Sequence, residues 1–386
     1  MAISTYRPPE SLRAVHTGIG AVEETLGADL AAQGVKRPLI VCGANIAASL
    51  LLERVKSAAD MDCAVYAGSV PHTPFAAIDE GARMAAEVKP DAVITVGGSS
   101  ASDCAKGIVV LHRTGKSTVR DLEPIDFVNV LAPTTARNDA PTPLMCIPTT
   151  LSAAEFQNFF GALDERTERK HPFPTQGLTT RTIILDGSMA ETTPATLWAE
   201  TGVKALDDTF GRYCNSRHDE PAADAVHEAA ILGLLENLGP SMAGDPELRQ
   251  KVLVDTWLTA FEMPRHQTRT RGPWFSTAAR HVLGAVLQVP HGIGSCVALI
   301  QGLRFHADTT AARQRQLAES TGLALDAQGS LAEAVAQWFA SLGVPTSLAA
   351  LGHDKAALDQ IAEEVLKEAP GLDSLEKVRA ACERMW

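Results

Sequence analysis

The feature that most constrains the fold is a change of rhythm near residue 188. Before it, short β-rich runs alternate with helical segments. RPLIVCG, CAVYAGSV, PDAVITVGG, PLMCIPTT and RTIILDG read as strands, and NIAASLLLERVKSAA, PFAAIDEGARMAAEVK and SASDCAKGIVVLH read as helices. Such alternation implies a parallel sheet covered by helices on both faces. After it, strand signals nearly vanish. Long amphipathic patterns take over: ATLWAETGVKALDDTFGRYC, AADAVHEAAILGLLENLG, ELRQKVLVDTWLTAFEM, SLAEAVAQWFASLG and AALDQIAEEVLKEA. The pattern predicts an α/β domain over 1–187 and an all-helical domain over 188–386, with a ligand in the cleft between them.

Composition narrows the function. The net charge of −12 argues against a nucleic-acid binder, because a phosphate backbone demands clustered Lys and Arg. The seven cysteines are widely spaced, odd in number and form no CxxC, so a disulfide framework or zinc ribbon is not expected. The opening MAISTYRPPESLRAVHTG has no apolar run after basic residues, and no run of about 18 apolar residues marks a membrane span. A reduced, cytoplasmic protein is the expectation.

Two polar loops follow predicted strands. In VITVGGSSASDCAKGI, residues 93–108, Gly97 and Gly98 let the backbone approach a ligand, and the helix start offers N–H groups to a phosphate. The same residues also read as a strand–helix turn capped by Ser99 or Ser100. In CIPTTLSAAEF, residues 146–156, Thr149, Thr150 and Ser152 lie where ligands bind at the carboxyl ends of parallel strands. The alternative is a polar loop capping the next helix.

Taken together, GGSSASDCAK and PTTLSAAE resemble the two signature segments of the iron-containing alcohol dehydrogenase superfamily. The form of the second is most similar to the maleylacetate reductase branch. STAARHVLGAVLQVPHGIGSCVALI, residues 276–300, resembles the histidine-rich segment of that superfamily. The spacing from Lys170 to Asp186 and the late GVPTSLAALG also match the branch. The resemblance spans nearly the whole chain. It implies an N-terminal dinucleotide-binding domain, a helical C-terminal domain and hydride transfer with NAD or NADP. It places Gly97, Gly98, Ser99 and Asp103 at the phosphate loop, with Lys106 closing that motif. Thr149, Thr150 and Ser152 fall at the cofactor-contacting strand end, and Lys170 is carried over as a cofactor residue. Ser99 replaces the third glycine of the family loop. Gly43 stands where many relatives carry an acidic residue that would repel a 2′-phosphate, which leaves NADP open.

The resemblance also implies a metal held by an aspartate, a histidine one helical turn later, and two further histidines. Those positions here are Lys204, Asp208, Thr277 and His291. An ammonium has no lone pair for a metal and repels it. One histidine and one aspartate fall short of the usual three protein ligands. No catalytic metal is therefore expected; the alternative is a register one residue off, in which Asp207 or His281 serves as a ligand. Lys204 and Asp208 share a helix face at i, i+4 and can supply charge in its place. His281, His291 and Tyr213 are candidate proton donors.

PRHQTRTRGPW, residues 264–274, is the densest positive run in an acidic chain; Arg280 follows it. Arg265, Arg269 and Arg271 suit bidentate capture of a carboxylate, and Trp274 suits a pocket wall. A solvated loop or an oligomer contact is the alternative for the arginines, and core packing for Trp274. The leading expectation is a metal-independent NAD(P)H-dependent reductase of a small, anionic carbonyl or enone. A non-redox lyase or isomerase using Lys204, Asp208 and histidine acid–base chemistry is a second reading. A non-catalytic ligand-binding homologue is a third. A homodimer is expected, with no nucleic-acid or membrane partner.

Overall fold

A computed structural model of the chain describes residues 12–124, 142–175, 180–217, 221–260 and 271–386. These residues divide into two compact units. The first takes in the described residues through Thr193 together with Gly244–Val254, and the second the rest from Pro194 onward.

The first unit begins with β1 (Ala14–Thr17), α1 (Ala21–Ala32), β2 (Pro38–Cys42), α2 (Ala44–Ala47), α3 (Leu50–Ala59) and β3 (Ala64–Tyr66). It continues through α4 (Phe75–Val88), β4 (Ala92–Gly97), α5 (Ser99–Thr114), β5 (Leu144–Pro148), β6 (Phe159–Asp164), β7 (Arg169–Pro174) and β8 (Thr180–Leu185). Six strands make one parallel sheet in the order β1-β8-β5-β4-β2-β3. Every residue of β2, β4 and β5 is buried, which is why these strands read as apolar runs rather than as alternation. Leu26 and Leu30 of α1 and Leu51 and Val55 of α3 pack on Ile40, Ile94, Met145 and Ile184 of the sheet.

Two local expectations are corrected. NIAASLLLERVKSAA is not one helix: Ser49 is extended (φ −107°), and its hydroxyl accepts the Leu51 N–H at 3.2 Å, starting α3 afresh. The antiparallel β6–β7 hairpin was not expected at all. Its connection is the charged Glu165–Glu168 turn, whose polarity hides the two strands that it joins.

The second unit opens with α6 (Ala195–Cys214) and α7 (Pro221–Ser241). Next comes α8 (Pro246–Thr259), of which the part up to Val254 counts with the first unit. Then follow α9 (Phe275–Leu287), α10 (His291–Phe305), α11 (Ala307–Thr321), α12 (Ala332–Leu342), α13 (Leu358–Glu368) and α14 (Leu375–Glu383). Residues 276–300 form two helices: Gln288 takes the left-handed region (φ 56°) and Pro290 caps α10. One core joins Ala279, Val282 and Leu283 of α9 to Ile361 and Val365 of α13 and Val378 of α14. No helix among the described residues is long and apolar enough to cross a membrane.

Candidate active site

In the first unit, β4 and β5 are neighbours with Gly97 in register with Pro148, so their carboxyl ends lie side by side. Gly97 has φ 146°, a backbone that side-chain-bearing residues avoid. Gly98 is the N-cap of α5, extended and with no side-chain cap, so the expected capping by Ser99 or Ser100 does not occur. The reason is that α5 starts at Ser99 itself. Its first-turn N–H groups therefore have no side-chain oxygen from the cap, which suits an anionic ligand. A Cβ on Gly98 would lie 2.8 Å from Thr150 Oγ1. That hydroxyl and Ser102 Oγ are buried with no hydrogen-bond partner among the described residues. The Thr149 N–H donates to Gly97 O at 3.1 Å, and Thr193 Oγ1 donates to Thr149 O at 2.7 Å, so the two loops are tied together.

Lys106 serves as a strut. It is fully buried, and its ammonium donates to Ala154 O (2.5 Å) and Phe159 O (3.1 Å), pinning α5 to the segment after β5. Burial pulls its pKa down against the attraction of Asp103. Asp103 also faces Lys170 of β7, whose Nζ lies 3.8 Å from Asp103 Oδ2 and whose chain lies over Gly161. Gly97, Gly98, Asp103, Thr149, Thr150 and Lys170 are thus gathered around one strand–helix junction. Ser152 is buried close by and accepts the Ala154 N–H at 3.4 Å. Asp186 acts elsewhere. It accepts from Ser188 N and Oγ and from Val22 N, holding the turn after β8 to α1.

In the second unit, α6 presents Glu200, Lys204, Asp208 and Arg212 at four-residue spacing, a single helix face. Lys204 Nζ lies 2.7 Å from Asp208 Oδ2, and Arg212 lies 3.7 Å from the same oxygen. From α9, Arg280 reaches Asp208 Oδ1 at 3.0 Å and Asp207 Oδ2 at 2.9 Å. Asp207 is completed by Ser276 Oγ (2.5 Å) and Ser295 Oγ (2.8 Å). The Asp207 side chain is 1% exposed and that of Lys204 18%, with Asp208 and Arg212 close to the latter, so the network runs from a sealed interior to a partly exposed edge.

Burial alone would raise the Asp208 carboxyl, but Lys204, Arg280 and Arg212 outweigh it and hold it far below the usual carboxylate range. Burial pushes Asp207 up, opposed by Arg280 and reinforced by Asp208. Glu200, one turn before Lys204, is pushed up by burial towards its neutral form.

Two family models match the chain: iron-containing alcohol dehydrogenase over residues 13–187, and the C-terminal domain of the same family over residues 198–380. The chain belongs to the iron-containing alcohol dehydrogenase family. It is an enzyme of the oxidoreductase class. An NADPH-dependent butanol dehydrogenase of Clostridium saccharobutylicum is 26% identical over 369 residues, covering 92% of this chain and 91% of that protein. Two solved structures share the fold. The sulfoacetaldehyde reductase of Bifidobacterium kashiwanohense in complex with NAD+ has a TM-score of 0.84 at 18% identity, covering 100% of this chain and 99% of that one. The maleylacetate reductase of Agrobacterium tumefaciens has a TM-score of 0.79 at 18% identity, with the same coverage.

Of the positions where the resemblance implies metal ligands, Lys204 offers an ammonium, which has no lone pair for a cation. Asp208 already accepts from Lys204 and Arg280, with Arg212 close by; an ion beside it would face three positive charges. Among the described residues, no group of three or more His, Cys, Asp or Glu side chains is placed to hold a metal ion. Thr277 lies in α9, one turn before His281.

His281 and His291 do come together, ring centroids 5.6 Å apart and edge-on. Tyr213 does not join them. It is fully buried under Arg313, whose guanidinium lies 3.9 Å from the ring centroid, and its hydroxyl donates to Glu228. Nine residues separate it from Lys204, half a helical turn out of phase, which is why it faces away. Arg271 is exposed and tied to backbone, with its N–H on Asn215 O at 2.8 Å and Nε on Ser216 O at 3.1 Å. Arg265 and Arg269 lie outside the described residues.

Trp274 is buried rather than lining an open wall. It stacks on His306 at 4.4 Å and packs against Gly211, and its indole N–H has no partner among the described residues. His306 Nε2 accepts the Phe275 N–H at 3.1 Å; burial and Lys377 pull the imidazole down to about 4.

Sequence reading missed the centre of the network. Arg280 appeared only as an appendage to the arginine run, and Asp207 only as an alternative metal ligand in a register one residue off. The available signal was an aspartate on the apolar face of α6 between Leu206 and Phe210, where an unpaired carboxylate is not tolerated.

Proposed function

We infer that this enzyme is a metal-independent, nicotinamide-dependent reductase of a small carboxylated carbonyl or enone. The observation that carries this reading is the Lys204–Asp208 pair, at two of the positions where the family resemblance implies metal ligands, with Arg280 on the second carboxylate oxygen. Among the described residues, its contacts join three cationic side chains to two carboxylates, three positive charges against two negative ones. A fixed positive charge in a partly enclosed site stabilises an oxyanion or enolate as it develops. Lys204 is partly exposed, and Asp208 with Arg280 behind it holds the ammonium in place. The same surplus favours a substrate that carries a carboxylate.

The nicotinamide, when bound, supplies the hydride. Gly97, Gly98 and the first turn of α5 would hold its diphosphate, with Thr149, Thr150 and Ser152 at the adjoining strand end. Gly43 caps α2 where a carboxylate would repel a 2′-phosphate, so NADPH meets no repulsion there. The butanol dehydrogenase relative is named as NADPH-dependent and the sulfoacetaldehyde reductase structure holds NAD+, which supports the nicotinamide class. His281, beside His291, then provides the proton.

A panel of carboxylated aldehydes, α-keto acids and enones, each assayed with NADH and NADPH after exhaustive chelation, tests the reading. Turnover confined to carboxylated members is the expected result. Nicotinamide binding without turnover across the panel would favour non-redox chemistry on the same fold.

A further inference from the structure

Glu368 is the last residue of α13, and a carboxylate there opposes the helix dipole. Its place is set by packing: Ile361, Ala362 and Val365 seat α13 on Ala279, Val282 and Leu283 of α9, while Pro370 ends the helix direction just beyond. That register brings Glu368 Oε1 to 3.0 Å from His281 Nδ1. Hydrogen bonding to His281 holds the Glu368 carboxyl below the usual glutamate range, so it is the ionised, accepting partner. An ionised carboxylate can only accept, which puts the proton of this contact on Nδ1. The His281 ring also meets the His291 ring, centroids 5.6 Å apart and edge-on. Both groups are partly exposed, at 21% for His281 and 31% for Glu368, so the pair lies at a wetted boundary rather than in the core.

We propose that Glu368 is the positioning residue of His281: it fixes the Nδ1–H tautomer and the ring orientation, so that proton exchange with the substrate falls to Nε2. The role in turnover rests on the reading of His281 as the proton donor given above. The tautomer does not. A carboxylate behind a histidine sets which nitrogen carries the proton and steadies the imidazolium during transfer. This accounts for an acidic residue at an unfavourable helix end.

The test uses the full chain with Glu368→Gln and Glu368→Ala, each alone and combined with His281→Ala. Histidine-selective 15N NMR reads the tautomer of His281. The Nδ1–H form should dominate in the parent and Glu368→Gln, whose amide oxygen still accepts, and give way to a mixture in Glu368→Ala. An unchanged His281 spectrum in Glu368→Ala overturns the proposal. In turnover, Glu368→Ala should lower kcat by about 10–100-fold with KM nearly constant, as loss of an orienting partner typically does, and Glu368→Gln should fall between. That loss should vanish on the His281→Ala background; an equal loss there means that Glu368 acts by another route. If His281→Ala itself turns over normally, the proton-donor reading fails, and the NMR result alone decides the role of Glu368. Thermal stability should hold in Glu368→Ala, since removing a carboxylate from a helix C-terminus relieves the dipole; a large drop would mark a merely structural residue.

Discussion

The glycine loop of the first unit and the charge cluster of the second offer polar ligands two different kinds of surface. The loop works by omission. Gly97 and Gly98 carry no side chain, the N-cap supplies no oxygen, and the Thr150 and Ser102 hydroxyls are buried without a partner among the described residues. The cluster works by saturation. Both Asp207 and Asp208 are met by several donors, and Lys204, Asp208 and Arg212 are its partly exposed members. A surface of backbone N–H groups and hydroxyls binds a shape that chemistry does not alter. A network of charges acts on charge that appears during reaction.

The sharpest way to break this contrast is to unbalance the saturated side. Asp207→Ala leaves Arg280 buried with one of its two carboxylates gone. Breaking one partner of a buried ion pair costs about 3–5 kcal/mol, so urea unfolding should show a loss of that order. A loss below roughly 1 kcal/mol, the range of surface pairs, would mean that the cluster is solvated. Next is Lys204→Ala, which removes the surplus positive charge. It should lower kcat by about 10²–10³-fold, the usual range for loss of one oxyanion-stabilising donor. Nicotinamide affinity, read by fluorescence titration, should be unchanged, because the loop residues are untouched. Full activity in Lys204→Ala would separate the cluster from catalysis.

Stability against pH probes a third histidine. His306 is held below its unfolded value, down to about 4. The folded protein therefore binds fewer protons than the unfolded chain between about pH 4 and pH 6.5. Its contribution is present above about pH 6.5 and is lost as pH falls towards 4, by about 3 kcal/mol in all. The difference in unfolding free energy between His306→Gln and the parent should follow that window; a flat difference would contradict it. The smallest effect belongs to the open side. Gly98→Ala places a Cβ 2.8 Å from Thr150 Oγ1. Overpacking of this kind costs about 1–3 kcal/mol, so nicotinamide affinity should weaken about 5–150-fold while kcat at saturation moves little. Unaltered affinity would remove the loop from the cofactor site.

The two regions differed just as much in how far the sequence alone revealed them. The sheet was legible because its central strands are buried on both faces, and apolar runs such as AVITVG have few alternatives. The loop was legible because glycine and threonine at strand ends have local reasons to be there. The cluster was only half legible. Lys204 and Asp208 sit on one helix, so spacing alone pairs them, whereas Arg280 meets them through the packing of α9 on α6, and no local pattern encodes that register. Glu368 was invisible for the same reason, being 87 residues from His281. The β6–β7 hairpin escaped because β7, RKHPFP, carries charge and two prolines, which do not read as a strand.

The central claim is that an ammonium and two guanidiniums, rather than a metal ion, surround Asp208. The most direct measurement is turnover of the best panel substrate by chelator-dialysed enzyme, titrated with Fe(II), Zn(II) or Mn(II) while bound metal is counted by mass spectrometry. Activity that survives dialysis and stays level as each ion is added, with well under one ion bound per chain, is the expected result. Activity that disappears on dialysis and returns in proportion to one bound ion per chain would contradict it.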